Sequence, residues 1–147
     1  MKKVLFLVLL VALCLPVATQ AQIAPQTPVI KKINETTSHI EFTVLIDPGW
    51  HVYAQEQPSH LPVETVFNLK AGTNIKLIGP AKEIGVIRKL DKNGKTVHVY
   101  EKTVTFVQEV KMLQKMKDAK LTMSYKIGYG NTKIYKQIRS SKSTLPI

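Results

Sequence analysis

The sequence predicts an all-β protein, an antiparallel sandwich or barrel, and three observations lead to this prediction. Short runs rich in β-branched residues recur along the chain. Clusters of glycine, proline, asparagine and aspartate separate these runs at the spacing typical of sandwiches and barrels. No helix of ordinary length competes, because the one stretch with helical spacing, around Met112, Leu113 and Met116, leaves room for only one or two turns.

The clearest strand starts at His39, where apolar and polar residues alternate as far as Ile46. Asp47-Pro48-Gly49 then predicts a turn. Further strands are predicted at 50–54, 63–69, 75–78, 83–88, 96–111 and 121–127, with 96–111 forming either two strands or one long bent strand. Turns are predicted at 71–74, 79–80, 91–94 and 128–131.

The first 21 residues have the organisation of a secretory signal peptide. Lys2 and Lys3 form a basic start, 4–17 is almost entirely apolar, and Thr19-Gln20-Ala21 is a small-x-Ala cleavage site. The alternative of a membrane anchor is disfavoured because the apolar run is short for a bilayer. The sequence therefore predicts export, to the periplasm or beyond.

Cleavage after residue 21 would leave 147 − 21 = 126 residues, the size of one domain. We expect 22–28 to be a polar, mobile lead-in and 29–147 to form a single domain. Cys14 is the only cysteine in the sequence and lies within the leader, so the cleaved chain would hold no thiol. An acylated Cys14 is disfavoured, because Leu13 stands where lipoprotein signals need a small residue.

Positive charge is concentrated at the C-terminal end. The formal net charge is +11, and 111–147 holds nine basic residues against the single acidic residue Asp118. Tyrosines interleave with this basic stretch, as they do in anion-binding surfaces. Export argues against nucleic acid. The remaining interpretations are weak electrostatic contact with an anionic membrane surface or another envelope component, or a solvated basic face.

No constellation of residues predicts catalysis, a metal site or a cofactor. The four histidines are widely spaced in the sequence and no carboxylate cluster joins them. The serines near the C-terminus lack a nucleophile elbow and are expected to form a polar tail. Gly128-Tyr129-Gly130 lacks the rest of a dinucleotide-binding motif and predicts a turn.

Trp50, the only tryptophan, follows the turn at 47–49 and admits two interpretations. It is either an exposed aromatic platform for a ligand or an anchor between two sheets. Trp50, Val52 and Ala54 alternate with His51 and Tyr53, which predicts that the indole lies on the apolar side of its strand.

Six short motifs, in order and at characteristic spacing, resemble the N-terminal periplasmic domain of the thiol:disulfide interchange protein DsbD. They are Gly49–Tyr53, Leu61-Pro62, Gly79-Pro80, Gly94-Lys95, Val99-Tyr100 and Tyr125–Gly128. The resemblance extends over roughly 29–139. It implies an immunoglobulin-like β-sandwich, in agreement with the strand pattern.

The resemblance also implies two redox cysteines, and the sequence departs from the family at both. The first cysteine position falls on Gly128 and the second on Lys133 or Ile134, while Tyr135 or Lys136 replaces the proline expected after them. The family's cap loop carries an aromatic residue just before the Gly-Lys turn, where this chain has 91–93, Asp-Lys-Asn. Disulfide exchange needs a thiolate, so the changes predict a redox-inactive relative. It would lack both the cysteines and the aromatic cap residue that shields them in the family.

The sequence thus predicts a non-enzymatic accessory domain that engages an envelope protein, with a thioredoxin-like or transmembrane electron-transfer protein as the kind of partner. The candidate contact residues lie in the loops at the former active-site end: Lys92, Asn93, Gly128, Tyr129, Asn131, Lys133, Ile134 and Tyr135. Two alternatives stay open. One is a thiol:disulfide enzyme that retains Cys14, and the other is a basic module that binds anionic envelope components.

Overall fold

A computed structural model describes residues 22–60, 65–113, 119–134 and 137–146. Regular structure within these ranges consists of strands. They are β1 (Ile23–Pro25), β2 (Val29–Lys32), β3 (Thr37–Ile46), β4 (His51–Tyr53), β5 (Val66–Ala71), β6 (Ile75–Ile84), β7 (Ile87–Lys92), β8 (Lys95–Tyr100), β9 (Thr103–Met112), β10 (Lys120–Gly130) and β11 (Gln137–Pro146).

The strands form two antiparallel sheets. In the first sheet the order is β1, β3, β9, β6, and β2 pairs with β3 beside β1. In the second sheet the order is β11, β10, β4, β8, β7, and β5 pairs with β10 beside β4. β10 thus pairs with β4 and β5 on one side and with the C-terminal strand β11 on the other.

The core lies between the sheets and is rich in aromatic rings. Phe42 and Phe106 come from the first sheet, and Phe67 and Tyr125 from the second. The ring centroids of Phe42 and Tyr125 are 4.8 Å apart, and those of Phe67 and Phe106 are 5.4 Å apart. Alternation along β3 drives this packing, since every second side chain from Ser38 to Ile46 is buried. The immunoglobulin-like β-sandwich predicted from the sequence is confirmed.

The stretch 96–111 contains two strands, β8 and β9, rather than one bent strand. Lys102 lies in the connection between them, with a φ of 72°. The predicted strand at 83–88 is also divided, because β6 ends at Ile84 and β7 begins at Ile87.

The turn predicted at Gly79-Pro80 is wrong, because these residues form a bulge inside β6. The pairing of β6 with β9 shifts between Ile78 and Lys82, and Gly79 has a φ of 65°. The buried Gln108 side chain donates from Nε2 to the carbonyl oxygens of Ile78 and Gly79, at 3.2 and 3.0 Å. This side chain satisfies carbonyls that the bulge removes from the ladder, so the strand continues.

The lead-in at 22–28 is not the mobile tether expected from its composition. Ile23 is 1% exposed and belongs to the core, and β1 pairs with β3. The expected polar tail is also wrong, because β11 pairs with β10 from Lys120 to Tyr129. The leader 1–21 and the helical spacing near Met116 lie outside the described residues, as does the start of the strand predicted at 63–69.

Candidate functional site

The tip of the β7–β8 hairpin forms one side of the candidate site. Asn93 and Gly94 have φ values of 53° and 73°, as expected for the two central residues of a type I′ turn. An Asn-Gly pair is the sequence most suited to that turn, because both positions need a left-handed backbone. The turn leaves Asn93 exposed and places Lys92 opposite Lys95.

The loop after β10 forms the other side. The side chain of Asn131 accepts hydrogen bonds at Oδ1 from the backbone N–H groups of Lys133 and Ile134, at 2.8 and 2.6 Å. The N–H of Asn131 in turn donates to the carbonyl oxygen of Ile134 at 2.8 Å. These bonds close a tight loop that holds Lys133 and Ile134 at the surface, with Ile134 37% exposed.

Lys92 connects the hairpin to this loop. Its Nζ donates to the carbonyl oxygen of Asn131 at 2.9 Å and lies 5.7 Å from the centre of the Tyr53 ring. Partial burial lowers the pKa of Lys92. The ammonium therefore interacts with a carbonyl oxygen and with an aromatic face. Through this contact the two loops form one continuous surface.

A second apolar cluster lies beneath this contact, on the face of the second sheet that points away from the main core. Tyr53, Val97 and Val99 are fully buried there and Leu90 packs against them. Val52 points into the main core, so the strand alternation sends His51 and Tyr53 to this opposite face. The sequence analysis did not predict this cluster, although Val97 and Val99 are apolar residues two positions apart on one strand and therefore share a face.

His51 is a buried histidine that remains neutral. It pairs with Gly130 at the end of β10, and its ring lies edge-on to Tyr53 at 5.1 Å. The pKa of His51 is lowered to about 4, chiefly by burial and in part by the positive charge of Lys92, while Glu101 opposes the shift. Its Nε2 has no hydrogen-bond partner among the described residues. The site therefore has a buried polar atom directly below its surface.

Trp50 lies directly before β4 and packs against the main core, on the side that its alternation predicts, but it is only half-buried. Its ring packs against Tyr129 at 5.9 Å, tilted by 52°. The indole is therefore an anchor at the end of the sandwich, beside the loop that follows β10.

The structure brings together most of the predicted contact residues. Lys92 and Asn93 lie on the hairpin side, and Asn131, Lys133 and Ile134 lie on the loop side. Gly128 and Tyr129 are not in a turn as predicted, because they belong to β10, where the N–H of the buried Gly128 donates to Thr65 Oγ1 at 3.2 Å. Tyr135 lies outside the described residues.

In the described part of the chain, no three side chains of the metal-binding types come together. Nor does that part contain a helix long and apolar enough to cross a membrane.

Comparison with known families identifies the class of protein. The profile of the family described as thiol:disulfide interchange protein DsbD, N-terminal, matches residues 19–136, which is most of the chain. The chain belongs to this family. No curated protein matches the sequence.

Similarity to one solved structure supports the fold. The N-terminal periplasmic domain of ScsB from Proteus mirabilis is similar, with a TM-score of 0.62 and 16% identity. That alignment covers 89% of this chain and 49% of the ScsB chain, so this chain spans about half of the ScsB length. The N-terminal domain of DsbD from Neisseria meningitidis, in the reduced form, aligns with a TM-score of 0.40 and 10% identity over 82% of each chain.

The contact through Lys92 adds one feature to what the sequence predicts. The resemblance implies an aromatic cap residue, and 91–93 of this chain has none. Here the Lys92 ammonium and the Asn131 carbonyl join the hairpin to the loop after β10.

Proposed function

We propose that this protein is an exported accessory domain that binds a protein partner in the cell envelope without thiol chemistry of its own. The contact surface is formed by Asn93, Lys133 and Ile134, and we name it the hairpin–loop surface. The observation that carries the proposal is the bond from Lys92 to Asn131, because it joins two loops into one ordered surface.

The absence of thiol chemistry follows from the sequence of the folded region. Residues 22–147 contain no cysteine, and the positions that the family resemblance assigns to its cysteines hold Gly128 and either Lys133 or Ile134. Exchange proceeds through attack of a thiolate on a disulfide sulfur, so the folded region lacks the reacting atom. Without a thiolate sulfur, the function that we assign to the hairpin–loop surface is recognition of a partner.

The periplasmic location is proposed on two grounds. The leader has the pattern of a secretory signal, and the similar ScsB domain is described as periplasmic. In that compartment the partner would be a protein that itself handles thiols, such as a thioredoxin-like or transmembrane electron-transfer protein. Ile134 supplies exposed apolar area, and Asn93 and Lys133 supply a polar rim, which is the arrangement of small transient interfaces.

Affinity capture from envelope extract tests the proposal. The bait is the exported protein, compared with a Lys133→Glu/Ile134→Asp variant and with a control carrying the changes Lys76→Glu and Val29→Asp on exposed residues of the first sheet. We expect one partner, identified by mass spectrometry, that the wild type and the control retain and the loop variant loses at least about tenfold. Equal retention by all three proteins would contradict the proposed surface.

A further inference from the structure

A cationic face lies on the outer side of the second sheet. It is formed by β5, β10 and β11, whereas the hairpin tip joins β7 and β8. On β10 the buried side chains of Leu121, Met123 and Ile127 point into the core. The alternate positions therefore point outward. They are Lys120, Thr122, Ser124 and Lys126.

The strands on both sides of β10 extend this face. The register places Lys70 of β5 beside Thr122, and it places Lys142 of β11 beside Ser124, with Asn68 on the other side of Ser124. Strands in a sheet are about 4.8 Å apart, so β5 and β11 lie about 10 Å from one another across β10. One ligand can therefore contact the lysines of both flanking strands.

These side chains enclose an open basin of about 700 Å³. Its cations are Lys70, Lys120 and Lys142, and its neutral polar groups are Asn68, Thr122 and Ser124. None of the described residues that line it is acidic, and the ion pairs found in the described ranges involve other side chains. Three like charges around one concavity raise the local positive potential, which an anion in the basin relieves.

We propose that this basin binds a phosphate-bearing anion. A terminal phosphate group carries close to two negative charges near neutral pH and the phosphodiester of a lipid headgroup carries one, and the free oxygens of both are strong hydrogen-bond acceptors. Lysine ammonium groups bind phosphate as point charges, and the hydroxyl and amide groups between them donate hydrogen bonds to the remaining oxygens. None of the described residues that line the basin is aromatic, so they offer no stacking platform for a base or a sugar ring. The phosphate belongs either to the headgroup of an anionic lipid or to a soluble oligophosphate.

The site is independent of the hairpin–loop surface, and the experiment uses a matched pair of variants. The test variant is Lys70→Gln/Lys142→Gln. The control is Lys76→Gln/Lys111→Gln, which removes two exposed lysines that face one another across β6 and β9 of the first sheet. Both variants lose the same charge, and thermal melting checks that both are folded.

Two probes distinguish the sources of the phosphate. Tripolyphosphate binding is measured by calorimetry at low and physiological salt, and vesicle binding is measured by sedimentation with phosphatidylglycerol and with phosphatidylcholine. We expect the test variant to bind about tenfold more weakly than wild type and the control to change by less than about twofold, since each exposed charge contact contributes up to about 1 kcal/mol. Binding should weaken as salt rises.

Each result decides one point. Tripolyphosphate binding without vesicle binding supports a soluble ligand, and binding to phosphatidylglycerol vesicles that is lost in the test variant supports a lipid headgroup. Equal weakening in the two variants shows attraction to net charge alone and overturns the site. Absence of binding to both probes also overturns it.

Discussion

The Nζ of Lys92 lies 2.9 Å from the carbonyl oxygen of Asn131 and joins the β7–β8 hairpin to the loop after β10. The two residues are 39 positions apart in the sequence. The same ammonium lies over Tyr53 and lowers the pKa of His51, so one side chain connects the surface loops with the buried cluster below them.

Replacing Lys92 with methionine keeps the apolar stem and removes the charge and the donor. We expect a loss of stability of about 1 kcal/mol, from one hydrogen bond to a charged group and one cation–π contact that are partly exposed. Amide hydrogen exchange at 131–134 should become faster. The pKa of His51 should rise, because a positive neighbour is removed, but stay below 6.5 because burial remains.

Lys95→Met is the control, because Lys95 is the exposed cross-strand neighbour of Lys92. It should leave loop exchange and the pKa of His51 close to wild type. If the two variants behave alike, the Lys92–Asn131 bond does not hold the loops together.

Acid should destabilise the fold through His51. Its pKa is about 4 in the folded protein against 6.5 for the free side chain, so between these values the unfolded chain binds the extra proton. The contribution of His51 to stability is therefore constant above pH 6.5 and falls as the pH drops towards 4, by a few kcal/mol at most. Glu83 acts in the opposite sense, because burial raises its pKa and the folded state holds its proton more tightly.

Denaturant unfolding at several pH values between 4 and 7 measures this effect. It is best done in a Glu83→Gln background, where the opposing carboxyl is removed. Adding His51→Gln should abolish most of the remaining slope, whatever its effect on absolute stability. An NMR titration of His51 in the wild-type protein gives an independent reading, and a pKa near 6.5 would refute the burial argument.

Trp50 anchors the end of the sandwich from a half-buried position. Full burial of a tryptophan would make its replacement by alanine cost about 3 to 5 kcal/mol, so we expect about 2 to 3 kcal/mol for Trp50→Ala. Trp50→Phe should recover part of this loss, because it keeps a ring against Tyr129. Chemical denaturation measures both. An alanine variant as stable as wild type would show that the packing of the indole does not contribute to the stability of the fold.

Gly85 occupies a site with no room for a side chain. A Cβ added there would lie 2.8 Å from Cδ1 of Tyr100 and 3.1 Å from the carbonyl oxygen of Thr103. Gly85→Ala should therefore cost about 1 to 3 kcal/mol, as overpacking does. Gly72→Ala is the matched control, because its Cβ meets only the Lys120 carbonyl oxygen at 3.7 Å. Equal stabilities would show that the Tyr100 ring moves aside freely.

The sequence predicted those strands whose side chains alternate between core and solvent. β3 shows that alternation along its whole length, and it appears in the structure with nearly the predicted bounds. The Asn93-Gly94 turn was also predictable, because few residues adopt its backbone conformation. Both features depend only on residues within a single segment of the chain.

The missed features depend on partners that are distant in the sequence. β11 has an exposed, polar sequence without apolar alternation, and only its pairing with β10 makes it a strand. The strand continues through Gly79-Pro80 because Gln108, far along the chain, donates hydrogen bonds to the carbonyl oxygens of Ile78 and Gly79. The family resemblance placed the loops of Lys92 and Asn131 at the same end of the domain, but neither segment by itself indicates the hydrogen bond between them.

The central claim is that the hairpin–loop surface binds a partner without a disulfide. Site-specific photo-cross-linking in cells tests this most directly, with the photoreactive residue at position 133 and, as control, at position 76 on the other sheet. We predict an adduct from position 133 that resists reductant, forms equally well after thiols are blocked, and is missing from position 76. An adduct that reductant dissolves, or equal adducts from both positions, would contradict the account.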